Sequence, residues 1–189
     1  MIRRIDIFKI IQCRTFLWAM IVWAALFLSA CAKAPSVQVT KLTLAQIRQN
    51  YIKDLQESGV QVIKLGETYR FVLLSDNLFN SGSANIQEDY RPILRTLAQL
   101  MNTYDKVNVL VASYTDDTSA IQQEQALTTR QAQVVSSYLW SQGIDARLEY
   151  AIGYNRENSV SWNGSLMGQH FNRRVEVSFR FYPETNPYA

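Results

Sequence analysis

The chain has 189 residues, 48% hydrophobic and 12% aromatic, with 19 Lys+Arg against 16 Asp+Glu and a formal net charge of +3. That apolar content can build a core, which excludes whole-chain disorder, and 7 Gly and 4 Pro exclude collagen-like or low-complexity architecture. The basic surplus would favour nucleic acid only if it sat on the folded part of the chain.

It does not sit there. Arg3, Arg4, Lys9 and Arg14 form a basic leader ahead of Phe16 to Ala30, an apolar run broken only by Ser29. As a helix this run would rise roughly 22 Å, short of a bilayer's roughly 30 Å hydrocarbon core. It reads as the h-region of an export signal. Leu28-Ser29-Ala30-Cys31 resembles the bacterial lipobox, with small residues beside the scissile bond and a Cys whose thiolate takes diacylglycerol. The expected processing removes residues 1–30 as a lipoprotein signal peptide and leaves Cys31 lipidated. An inner-membrane signal anchor with an incidental Cys is the competing reading. Ala32, rather than Asp, follows Cys31. By the enterobacterial sorting rule this points to the outer membrane, with the domain in the periplasm.

Loss of residues 1–30 removes those four basic residues and Asp6, leaving fifteen charges of each sign. The mature chain is then formally neutral, and nucleic acid is not an expected partner. Cys13 leaves with the signal and Cys31 takes the lipid, so neither a disulfide nor a free thiol is expected.

Residues 31–40 read as a lipidated tether interrupted by Pro35. Over 41–59, Leu42, Leu44, Ile47, Tyr51, Ile52 and Leu55 recur at helical spacing, with Thr40 as a candidate N-cap and Gly59 as a stop. Val60 to Leu65 and Tyr69 to Leu74 read as a hairpin turned at Gly66-Glu67-Thr68. A polar loop over 75–83 leads to a helix over 88–104. A strand over 107–112 and a polar loop over 113–120 precede a helix over 121–142. A strand over 147–152, a long loop over 153–172 and a strand over 174–181 complete the domain, before a tail at 183–189. The order predicts an α+β fold over 60–182: a mixed sheet with helices on one face, preceded by the N-terminal helix and the β-hairpin.

Four segments carry a family resemblance. They are Leu78-Phe79-Asn80-Ser81-Gly82-Ser83-Ala84, Ser113-Tyr114-Thr115-Asp116, Leu127-Thr128-Thr129-Arg130-Gln131-Ala132 and Asn172-Arg173-Arg174-Val175-Glu176-Val177. In this order, behind a lipobox, they resemble the OmpA-like peptidoglycan-binding domain. The layout is also similar to small OmpA-type lipoproteins of the Dot/Icm type IVB secretion machine. The resemblance implies a structural role in an envelope-spanning complex, with peptidoglycan stem peptide, outer membrane and other secretion-system core proteins as partners.

The family ligand is diaminopimelate, a zwitterion whose recognition needs an anion and a cation close together. The resemblance places the ammonium-binding carboxylate at Asp116, beside Thr115, and makes Phe79 and Asn80 further binding residues. The family's carboxylate-binding Arg falls at Gln131, which supplies no charge. A charged hydrogen bond contributes about 1.5–3 kcal/mol against about 1 for a neutral one. Weaker binding is therefore expected, with Arg130, Arg173 or Arg174 as replacement cations. Ser113, Ser119 and Glu124 are further departures, and Gln131, Glu124 and Ser119 favour a purely protein-docking scaffold as the alternative function.

Each feature also has a plainer role. Asp116 and Asp117 could be turn or helix-capping residues, and Arg173-Arg174 a solvated strand face on which alternation admits one of the two to any pocket. Phe79 suits the core, Trp140 and Trp162 suit core and loop packing, and His170 is the chain's 1 histidine, expected in a loop. No phosphate loop, zinc spacing or nucleophile elbow occurs, so no enzyme activity, no metal and no cofactor beyond the Cys31 lipid are expected.

Overall fold

The computed structural model describes residues 42–117 and 120–183. The expected signal, Cys31, tether, Thr40 cap, Ser119 and most of the tail lie outside them. Chain contacts divide the protein into two units, residues 1–41 and 42–189, and the fold is that of the second.

The first helix, α1, runs over Leu44–Glu57. Its N-cap is Thr43 rather than Thr40. The Gln46 amide donates to Thr43 Oγ1 at 3.3 Å, and the Thr43 amide donates to Gln46 Oε1 at 2.8 Å. Two otherwise orphaned donors are thus satisfied reciprocally, which sets the start. Gly59, at φ +83°, ends the helix in a conformation that favours glycine.

Strands β1 (Gln61–Leu65) and β2 (Thr68–Leu74) form the expected antiparallel hairpin. The segment expected as a polar loop opens instead with a single helical turn, α2 (Ser75–Leu78). The second long helix starts with a 3-10 turn at Glu88–Tyr90 and becomes α3 over Arg91–Asn102. Pro92 sits in its first turn, where a missing N–H leaves no bond unmade. Next come β3 (Lys106–Tyr114), α4 (Ile121–Ser141) and β4 (Glu149–Gly153). The residues expected to open β4 form another 3-10 turn, Ala146–Leu148, capped by Asp145. The expected long loop contains α5 (Leu166–Asn172), and β5 covers Arg174–Phe181.

The five strands form one mixed sheet in the order β1-β2-β5-β3-β4, antiparallel except where β3 meets β4. Register places Phe71, Val177 and Val111 side by side on one face, with Tyr69, Phe179 and Val109 in the next row. Leu55 of α1, Leu94 and Leu97 of α3, and Val135 and Leu139 of α4 pack with them in a single core. All three long helices therefore cover the same face, as expected. Among the described residues no helix is long and apolar enough to cross a membrane.

Helix and sheet approach closely at Gly153. A Cβ there would lie 2.4 Å from the Thr129 backbone nitrogen and 2.6 Å from Thr128 Oγ1, so α4 rests directly on the strand end. Gly153→Ala forces α4 outward. The expected loss is about 3 kcal/mol, the upper end of over-packing costs, measured by urea denaturation.

Candidate functional site

Strands β2 and β3 both run antiparallel to their shared neighbour β5. Their C-terminal ends therefore flank the residue that enters β5. The site is built there, from Asp76 after β2, Asp116 after β3 and Arg173 before β5.

Arg173 Nε and Nη2 donate to the two Asp76 carboxylate oxygens at 2.8 and 2.6 Å, while Nη1 donates to Asp116 Oδ2 at 2.5 Å. One planar guanidinium thus clamps two carboxylates, one of them bidentately. Asp116 is 4% exposed, so its charge requires this kind of compensation. Thr115 Oγ1 lies 3.5 Å from the other Asp116 oxygen, and the Thr115 amide donates to the Asn155 carbonyl at 2.8 Å. His170 Nδ1 lies 2.7 Å from Asp76 Oδ2. The Arg173 hydrogen bond holds the Asp76 carboxyl below its ordinary range; burial opposes it, and the weaker His170 hydrogen bond adds to the lowering.

Asp76, Asp116 and Arg173 line a cavity of about 650 Å³ whose walls also include Asn80, Thr115 and Gln131. Phe79 is a core residue, 2% exposed, that also forms part of this wall. Gln131 is 6% exposed and its amide is engaged at both ends. Ser113 Oγ donates to Gln131 Oε1 at 3.0 Å, and Gln131 Nε2 donates to the Ser83 carbonyl at 3.0 Å. It ties the 79–86 turn to β3.

The other two candidate cations are elsewhere. Arg130 is exposed on α4, bonded to its own helix at the Ala126 carbonyl, and does not line this cavity. It lies one residue, about 100°, around the helix from Gln131. Arg174 is buried away from the cavity. It pairs with Glu176 at 2.8 Å, and its guanidinium sits 4.0 Å from the Tyr114 ring centre. Asp117 is exposed, and the helix cap after the loop is Ala120, so Asp116 is neither a cap nor a solvated turn residue.

Three further groups were not singled out as site residues. Asp76 pairs with Arg173 across 97 positions, a separation that no local pattern signals. His170 belongs to α5 rather than to a loop. Glu124, 2% exposed, is held by Arg156 through bonds of 3.0 and 2.8 Å, which pins the turn after β4 onto α4. Among the described residues no cluster of three potential metal ligands exists.

The OmpA family model matches residues 78–173, which include the site residues Asp116 and Arg173. The chain belongs to the OmpA family. It is 29% identical over 137 residues to the probable lipoprotein YiaD of Escherichia coli, covering 68% of this chain and 63% of that protein. It is 28% identical to outer membrane protein A of Bordetella avium, covering 57% of this chain and 56% of that one. The match thus spans less than two thirds of either relative. The structure of the cell wall anchor of the Pseudomonas aeruginosa type VI secretion system superposes with a TM-score of 0.63 at 26% identity, covering 74% of this chain and 98% of that one. These relatives are structural envelope proteins, and no catalytic family appears among them.

The Arg173 clamp sets a pH signature. Because the folded Asp76 carboxyl titrates below the ordinary 3.8, its contribution is full above that pH and is lost as pH falls through its folded value. Asp76→Asn is expected to lower stability at pH 7 by about 1 kcal/mol, a value kept small because the side chain is 37% exposed. The gap between variant and native protein should narrow as pH falls below 3.8, measured by urea denaturation across that range.

Proposed function

We propose that this protein is an outer-membrane lipoprotein that anchors an envelope-spanning complex to the cell wall by binding the peptidoglycan stem peptide. The observation that carries this reading is the Asp116–Arg173 pair, 2.5 Å apart, lining one cavity within the family-matched segment. Diaminopimelate ends in an ammonium and a carboxylate on one carbon. Asp116 receives the ammonium. Arg173 directs three bonds to Asp76 and Asp116 and has two further N–H groups for the carboxylate. Arg173 therefore takes the role that the resemblance assigns to position 131. Since the Gln131 amide is spent on Ser113 and Ser83, affinity is expected about tenfold below that of a site with both cations.

Cys31 carries the lipid, and the domain lies in the periplasm. The lipobox, short tether and single OmpA-like domain support membership in a type IVB (Dot/Icm) complex, with other outer-membrane core proteins as partners. The neighbouring fold of a wall anchor from another secretion system supports the anchoring role. A second reading, a docking scaffold whose pocket no longer binds peptide, is favoured by the internally satisfied Gln131.

Full-length protein in detergent should be retained by isolated peptidoglycan sacculi. Asp116→Ala and Arg173→Ala should each reduce retention about tenfold. Background retention of the native chain would instead support the scaffold. Cys31→Ser should abolish labelling with radioactive palmitate, whereas labelling that persists would exclude Cys31 as the lipid site.

A further inference from the structure

The segment from Asn158 to Asn172 contains no Lys, Arg, Asp or Glu. It nevertheless exposes Trp162 (76%), Leu166 (85%) and Met167 (65%). Sequence reading places Trp162 in loop packing, yet its ring is mostly in solvent. Single exposed apolar groups need no explanation, but an exposed cluster marks a contact surface.

The cluster is presented by a built scaffold. Asn172 is 0% exposed and holds the segment with four bonds. Its Oδ1 accepts from the amides of Val160 and Ser161 at 2.8 and 3.0 Å, and its Nδ2 donates to Ser161 O and Asn163 Oδ1 at 2.8 and 2.6 Å. Two glycines shape the turn. A Cβ at Gly164 would fall 2.1 Å from the Trp162 ring, and one at Gly168 would fall 1.9 Å from the Trp162 carbonyl. The indole therefore lies against the Gly164 backbone on one side and opens to solvent on the other.

This surface is joined to the cavity wall through α5, which leads into Arg173. Met167 lies three residues before His170 on α5, hence on the adjacent turn of one face. His170 contacts Asp76, and Arg173 follows the helix directly. We propose that the Trp162–Leu166–Met167 surface binds the glycan strand of the wall, an N-acetylated amino-sugar chain, beside the stem-peptide cavity. This rests on the stem-peptide reading, because the stem is covalently joined to that strand and brings it within reach.

The chemistry matches a neutral polymer. The outer indole face carries the negative end of the ring quadrupole and attracts the polarised C–H face of a sugar. Leu166 and Met167 offer apolar surface to N-acetyl methyl groups. Ser159, Ser161, Asn163 and Gln169 supply uncharged hydroxyl and amide chemistry around them. The absence of formal charge over 158–172 matches a ligand backbone of hydroxyls and acetamides better than an anionic lipid surface.

The test uses two soluble probes with full-length protein in detergent: a β-1,4-linked N-acetylglucosamine hexamer, and a diaminopimelate-containing stem tripeptide. The native protein should bind the hexamer saturably. Trp162→Ala and the double variant Leu166→Ser, Met167→Ser should each weaken hexamer binding at least tenfold and leave tripeptide binding unchanged. Trp140→Ala, which removes an exposed indole on α4, should leave both unchanged. Asp116→Ala should show the reverse pattern, so failure of the cavity reading is seen separately as loss of tripeptide binding by the native chain. No saturable hexamer binding, or equal binding by Trp162→Ala, overturns the proposal. Loss of a co-purifying envelope protein from Trp162→Ala, with hexamer binding intact, overturns it in favour of a protein partner.

Discussion

Arg173 joins the ends of the three central strands, and the site exists because of it. Two carboxylates close to one another, one almost fully buried, would repel and draw protons without a shared cation. The guanidinium removes that conflict with three charge-assisted bonds. Topology makes the arrangement possible. Because β5 lies between β2 and β3 and runs against both, its entry residue faces both strand exits. A Lys at this position would offer one point charge where a fork is needed.

The regular parts of this architecture were legible from residue pattern. The hairpin, the long helices and β5 follow from alternation or helical spacing over several residues, so sequence reading locates them nearly to the residue. The misses are short or polar. The single turn Ser75–Leu78 and the helix Leu166–Asn172 are too brief to show a period, and tertiary bonds rather than propensity hold them. The N-cap moved from Thr40 to Thr43 because Gln46 stands three residues beyond the latter, completing a capping box.

The site divides in the same way. Motif resemblance located Thr115, Asp116 and Gln131, which lie on one helix or beside one strand end. It left three candidate cations, and only Arg173 lines the cavity. Arg174 is turned away by strand alternation and shielded by Tyr114, and Arg130 by the helical rotation from Gln131. Asp76 was invisible because its importance comes entirely from a partner 97 residues distant. Glu124 reads as a departure from the family site, but its buried carboxylate belongs to a pair with Arg156. That substitution is better understood as a fastening for the turn at 154–158 than as decay of the pocket.

The fold also separates two ends of the molecule. Arg48, in the first turns of α1, bonds Thr103 Oγ1 at 3.1 Å and lies 3.8 Å from the Tyr104 ring centre. Those residues precede β3, whereas Asp116 follows it. The nine residues of β3, at about 3.3 Å each, put roughly 30 Å between the level at which α1 begins and the level of the cavity. The charged cavity thus lies at the opposite end of the sheet from the start of α1, and this separation is built into the fold. It follows from β3 running the length of the sheet between the two ends.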